Sequence, residues 1–148
     1  MDSEVQISPI IISSPELLSD LNTLLPQLSD SFKDKEITEE DIEYIVESDD
    51  RDILVARMDD RIVGSAVVNL VVSLGSRKTW LDEFVVDEDQ NIRGQGVGFA
   101  LWNGIVDWAT ERGSSLEFTS SSSRKDAHRF YLRQGVEVRD TTVFRKSL

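Results

Sequence analysis

Apolar positions along the chain change their period several times, and each change marks an element. "VQISPIII" (residues 5–12) reads as a first strand. "SPELLSDLNTLL" then sets Leu17, Leu18, Leu21, Leu24 and Leu25 at helical spacing, with Ser14 as cap and Pro15 in the first turn. "TEEDIEYIVES" predicts a second helix, capped by Thr38, with Glu39, Glu40 and Asp41 at the positive end of its dipole. The period next falls to two. "DILVARM", "RIVGSAVVNLVV" and "TWLDEFVV" are separated by turns at Asp59-Asp60 and Gly75-Ser76, which predicts an antiparallel meander.

After a glycine-rich segment, Leu101, Ile105, Trp108 and Arg112 return to helical spacing, flanked by Trp102 and Ala109, until Gly113 offers a stop. "SLEFTS" predicts a strand, "KDAHRFYLRQ" a helix ended by Gly135, and "VEVR" and "TTVFRK" two closing strands. This is an α/β or α+β order, and its strand–helix–strand portion implies a locally parallel pair. No repeat or linker interrupts it, so residues 1–148 are expected to form a single domain.

Composition narrows the function classes. Without cysteine there is no disulfide, thiolate zinc site or thiol nucleophile, and no metal centre is expected. The opening "MDSEVQIS" lacks the cationic and apolar regions of a signal peptide, and Ile62 to Leu74 is too short and too interrupted to span a bilayer. A soluble, cytoplasmic protein away from membranes is the expectation. The net charge of −12 argues against nucleic acid as a partner, because lysine and arginine supply most of that affinity. The charge is also uneven: residues 1–60 carry 17 acidic and 4 basic side chains, and residues 124–148 carry 3 and 7. Solubility alone can account for that. An acidic surface for a cationic substrate and a basic one for an anionic substrate is the functional alternative.

"NIRGQGVGFALW" concentrates three glycines where a strand gives way to a helix. No lysine follows them as a P-loop requires, and the positions three after Gly96 and Gly98 are Phe99 and Leu101, so a dinucleotide fingerprint fails too. Arg-x-x-Gly-x-Gly is satisfied by Arg93, Gly96 and Gly98. Small residues there let backbone curl around an oxygen-rich anion, with helix-start amides and the helix dipole aimed at it.

From Thr79 to Val136 the chain resembles the GNAT acetyltransferase superfamily, in this loop and in "AHRFYLRQG" (residues 127–135). The resemblance implies a GNAT-like, mostly antiparallel mixed sheet of about six or seven strands flanked by helices, with a splayed parallel pair that holds the cofactor. It also implies that the amides of Arg93, Gly94, Gln95, Gly96, Val97 and Gly98 hold the pyrophosphate of acetyl-CoA. Tyr131 matches the family's tyrosine near the thioester sulfur. Val136 stands where the family usually has phenylalanine after Gly135. Phe84, Val85 and Val86 match the bulged strand whose backbone pairs with the pantetheine arm, and an amide near Phe84 or Val85 would polarise the thioester carbonyl. Asp87 to Ile92 make a longer connection than many members have.

Within "TWLDEFVV", strict alternation sends Asp82 and Glu83 to opposite sheet faces, and an unpaired carboxylate is costly to bury. Family members often use an acid on this strand to deprotonate the acceptor amine; Glu83 is the candidate here and Asp82 the alternative. Ser120 to Ser123 have no nucleophile elbow and the lone His128 no evident acidic partner, which argues against covalent serine catalysis. These serines are expected to cap the next helix or bond the cofactor's amides, Ser122 being the candidate; His128 is read as structural or solvated. The resemblance implies direct transfer of an acetyl group from acetyl-CoA to a primary amine, with Glu83 as base and Tyr131 as acid. The acidic first segment points to a cationic small molecule or peptide as acceptor. A non-catalytic acyl-CoA-binding module is the alternative. An exposed sheet edge would permit a homodimer.

Overall fold

The protein, described by a computed structural model over residues 4–148, forms two compact units, one ending at Phe118 and the other running from Thr119 to Leu148. The first unit contains β1 (Gln6–Pro9), α1 (Pro15–Leu24), α2 (Glu39–Val46), β2 (Arg51–Met58), β3 (Arg61–Ser73), β4 (Ser76–Val86), α3 (Val97–Glu111) and β5 (Ser115–Glu117). Two single 3-10 turns, Leu25–Gln27 and Asp30–Phe32, lead from α1 toward α2. The second unit contains α4 (Lys125–Arg133).

Helix starts and turns follow the sequence closely. Ser14 accepts from the Leu17 amide, and Thr38 with Asp41 forms a reciprocal capping box. Asp59 and Asp60 both have positive φ, as a two-residue hairpin joining Met58 to Arg61 requires. The five strands lie in chain order β1-β2-β3-β4-β5, antiparallel throughout except for the parallel β4–β5 pair joined through α3.

Alternation along β2 divides the core. Ile53 and Val55 join Leu17, Leu21, Leu24 and Ile42 of α1 and α2 in one apolar cluster. Asp52, the residue before Ile53 and so on the other face, accepts from Trp108 Nε1 of α3 at 2.7 Å. Helices thus cover both faces. Each fully buried leucine or isoleucine in these layers contributes about 1.5–3 kcal/mol. Gly64 of β3 brings α3 close: a Cβ there would meet Leu101 at 3.3 Å and Val97 at 3.4 Å.

The sheet is smaller than the six or seven strands expected. β5 ends at Glu117, and neither "VEVR" nor "TTVFRK" forms a strand ladder among the described residues. Each has only two apolar side chains among charges, and Val138 and Phe144 are about 90% exposed (90% and 89%). A period-two pattern becomes a strand only where neighbours cover one face, and here that cover is lacking.

Candidate active site

β4 departs from regular pairing at the position where the apolar run carries its acids. The ladder to β3 is in register at Val67↔Asp82 and resumes at Ser65↔Val85, so Ala66 stands opposite both Glu83 and Phe84. Two residues against one make a β-bulge, which bends the strand and re-aims side chains. Glu83 takes a φ of 53°, in the left-handed region. A residue with a Cβ pays about 1–2 kcal/mol there. The opposite-face expectation for the two acids assumed strict alternation, which this bulge interrupts; both carboxylates are exposed.

Their surroundings still differ. Asp82 accepts a hydrogen bond from Trp80 Nε1 at 3.2 Å. Glu83 is open on one side and crowded on the other: partial dehydration raises its pKa, the like charge of Asp82 raises it further, and Lys35 opposes both. Lys35 comes from the α1–α2 connection, where its ammonium lies 5.7 Å from the Phe32 ring centre.

On its other edge β4 leaves β5 early. Parallel pairing covers only Lys78↔Ser115 to Trp80↔Glu117, whereas β4 runs on to Val86. Phe84, Val85 and Val86 therefore lie where the two strands no longer pair. Trp102 of α3 packs edge-on against Phe84, at 6.4 Å between ring centres, and against Phe118 just after β5, at 5.9 Å. It thereby acts as a wedge between the diverging strands. The sequence had shown Trp102 only as a neighbour of the helical stripe; its bulk one turn after the glycines was the available signal.

Beyond Val86 the chain turns into the glycine loop. Gly94 and Gly96 have φ of 79° and 78°, and nothing lies within 4 Å of where a Cβ would stand on either. Gly96 is the N-cap of α3, no side chain caps that end, and its first turn holds no acid. The first intrahelical bond is Ala100 N to Gly96 O, so the amides of Val97, Gly98 and Phe99 have no carbonyl one turn earlier. The Arg93 and Gln95 amides are instead held by Asp89 O and Ile92 O. The side chain of Arg93 is exposed. Uncapped amides beside open, side-chain-free backbone fit an anion such as a diphosphate.

In the second unit, the serine loop is held by its own hydroxyls. Ser121 Oγ lies 2.9 Å from Ser123 Oγ, and His128 Nε2 lies 3.1 Å from Ser120 Oγ. No serine caps α4, whose N-cap is Arg124; Ser122 is exposed on the loop. Tyr131 is buried, and that burial raises its pKa while Arg124 opposes the rise. Glu83, Phe84–Val86 and the Arg93–Gly98 loop thus share one compact unit, and Ser122 and Tyr131 belong to the other. A shallow groove of about 690 Å³ between α1 and residues 36–39 is lined by none of these residues. Among the described residues there is no cluster of potential metal ligands, and no helix is long and apolar enough to cross a membrane.

The sequence model of the acetyltransferase (GNAT) family matches residues 18–136. No curated protein matches the chain. Among solved structures, a transcriptional regulator from Bacillus halodurans C-125 superposes with a TM-score of 0.79 at 21% identity, over 98% of this chain and 100% of that one. A ribosomal-protein-alanine N-acetyltransferase from Brucella melitensis biovar Abortus 2308 gives 0.73 at 21%, over 98% and 99%. AAC(6')-Iy, solved in complex with the bisubstrate analog CoA-S-monomethyl-acetylneamine, gives 0.75 at 19%, over 99% of both chains. At these identities the structural likenesses establish the fold.

Proposed function

This chain belongs to the acetyltransferase (GNAT) family, and on that premise we propose that it transfers the acetyl group of acetyl-CoA directly to a primary amine, in one domain spanning both units. The observation that carries this reading is the uncapped start of α3 behind two left-handed glycines, beside a bulged β4 that has parted from β5. The amides of Val97 and Gly98, with those of Gly94 and Gly96, hold the diphosphate, while the Arg93 and Gln95 amides stay in the loop's own hydrogen bonds. The backbone of Phe84, Val85 and Val86 aligns the pantetheine arm, and Ser122 bonds one of its amides. Acetyl-CoA supplies the thioester that is broken.

The reaction forms a nitrogen–carbon bond and cleaves a carbon–sulfur bond. Glu83 takes the proton the amine nitrogen must lose; its raised pKa makes it a stronger base than an ordinary glutamate. Tyr131 gives a proton to the departing thiolate. Its phenol is protonated at neutral pH; proton transfer from an ordinary phenol, near pKa 10, to a thiolate near 8.5 already runs uphill, and burial makes the Tyr131 phenol a weaker acid still, so the step depends on the environment of the site. Holding donor and acceptor in line contributes more to the rate than either proton transfer.

The acceptor is a cationic amine, of the polyamine, aminoglycoside or lysine-peptide type. Exposed Glu36, Glu39, Glu40, Glu43 and Glu47 crowd the α1–α2 region, and such a field concentrates cations. Calorimetry with acetyl-CoA, followed by release of free thiol across an amine panel, tests the proposal. Binding plus thiol release fastest with spermidine-like or aminoglycoside amines is expected. No heat of association would overturn the whole reading; binding without thiol release on any amine would leave an acyl-CoA-binding module, and preference for anionic amino acids would remove the cationic acceptor.

A further inference from the structure

Asp87 is the only charged side chain buried among the described residues. It is the first residue after β4, where the strand ends and the connection to the glycine loop begins. Its Oδ2 accepts from Arg61 of β3 at 2.5 Å, and its Oδ1 from Gln27 Nε2 at 3.3 Å and the Asp89 amide at 3.0 Å. Its own amide donates to Val63 O at 2.8 Å. Gln27, in the turn after α1, also accepts from the Glu88 amide at 2.8 Å. One carboxylate therefore joins β3, the end of α1 and the connection.

The hydrogen bonds continue toward the glycines without a break. Asp89 Oδ1 accepts from the Asn91 amide at 2.9 Å, Asp89 O from the Ile92 and Arg93 amides at 2.9 and 3.0 Å, and Ile92 O from the Gln95 amide at 3.3 Å. Ile92 is buried, anchoring the middle of this otherwise exposed stretch. The bonds more than offset the dehydration of Asp87: burial alone would raise its pKa, but the Asp89 amide, Arg61 and Gln27 together bring it below the ordinary value. A buried carboxylate with all its partners defines one geometry, whereas a polar connection ending in two left-handed glycines would otherwise sample many.

We propose that Asp87 is a positioning residue for the diphosphate-gripping loop: clamped by Arg61 and Gln27, it presets residues 88–95 so that the first amides of α3 meet the diphosphate without reordering. This rests on the acetyl-CoA reading above. Loop ordering is a direct cost of binding, and a preset loop removes it.

The test compares acetyl-CoA with S-acetylpantetheine, which carries the same thioester but no diphosphate. In Asp87→Asn the new NH2 meets a donor in either orientation, the Arg61 guanidinium or the Asp89 amide with Gln27 Nε2. We expect the KM and Kd for acetyl-CoA to rise about tenfold, with kcat at saturation within about twofold and kcat/KM for S-acetylpantetheine unchanged. Gln27→Ala, which loosens the clamp from outside, raises the same KM about threefold and serves if Asp87→Asn does not fold. Equal losses with both donors, or no change in KM for acetyl-CoA in the folded variants, would overturn the proposal. A wild-type protein that fails to bind acetyl-CoA would instead defeat the reading on which it rests.

Discussion

Glu83 and Gly96 share a left-handed backbone, with φ of 53° and 78°, yet the chain reaches it in two different ways. At Gly96 the residue has no Cβ and adopts the conformation without steric cost, and only its neighbourhood of bare amides matters. At Glu83 a carboxylate sits on the strained residue, at about 1–2 kcal/mol. Strain of this kind persists where the surrounding structure over-determines it, and it gathers at functional sites. The contrast teaches a division of labour. On the proposed function, the bend is glycine where backbone alone would meet the ligand, and where a side chain would be needed at the bend, stability is given up to keep it.

Four experiments break or sharpen that contrast. Glu83→Gln keeps the shape and removes the base, and kcat should fall about 100-fold or more with the KM for acetyl-CoA unchanged, whereas Asp82→Asn should stay within about twofold. Steady-state kinetics on both variants decide between the two acids. Gly96→Ala adds a Cβ to a left-handed N-cap, and calorimetry should show acetyl-CoA binding weakened about 10- to 30-fold, from strain and obstruction together. Glu83→Gly removes both strain and base: in thermal or urea unfolding it should equal or exceed the wild type by up to about 1 kcal/mol, while remaining as inactive as Glu83→Gln. A destabilised Glu83→Gly would show that the bulge is held by the glutamate rather than in spite of it.

The smallest effect is that of pH, and its sign differs between two acids. The Glu83 pKa is raised in the folded protein, so the stability linked to its protonated form is present at low pH and is lost as pH rises through the folded value. Activity runs the opposite way, rising with pH as the carboxylate ionises, with an apparent pKa above that of an ordinary glutamate. The Asp87 pKa is lowered, so its stabilisation is present above the ordinary aspartate value and disappears as pH falls through the folded one. Unfolding curves of Glu83→Gln and Asp87→Asn against wild type between pH 3 and 7 (roughly, the span of shifted carboxylates) should therefore diverge in opposite directions.

Local chemistry made much of this molecule legible from sequence. Ser14, Thr38 and the Asp59-Asp60 turn act within a few residues of themselves, and the caps and hairpin formed as expected. The strand–glycine–helix passage around Gly96 was readable for the same reason. "VEVR" and "TTVFRK" show the limit, because their alternation predicted strands and no ladder formed. Asp87 shows it at the site: its carboxylate partners Arg61 and Gln27 lie 26 and 60 residues away in the chain, and no spacing rule joins them.

Read alone, the order of residues determined the family, the helix starts, the tight turns and the glycine stretch between strand and helix, since each depends on contacts between near neighbours. Tertiary structure alone decided that β4 bulges at Glu83, that Trp102 wedges the strands apart and that Asp87 is buried at the meeting of β3 with the end of α1. Bulge register, ring packing and carboxylate burial depend on which distant segments are brought together, and that is a property of the packed chain.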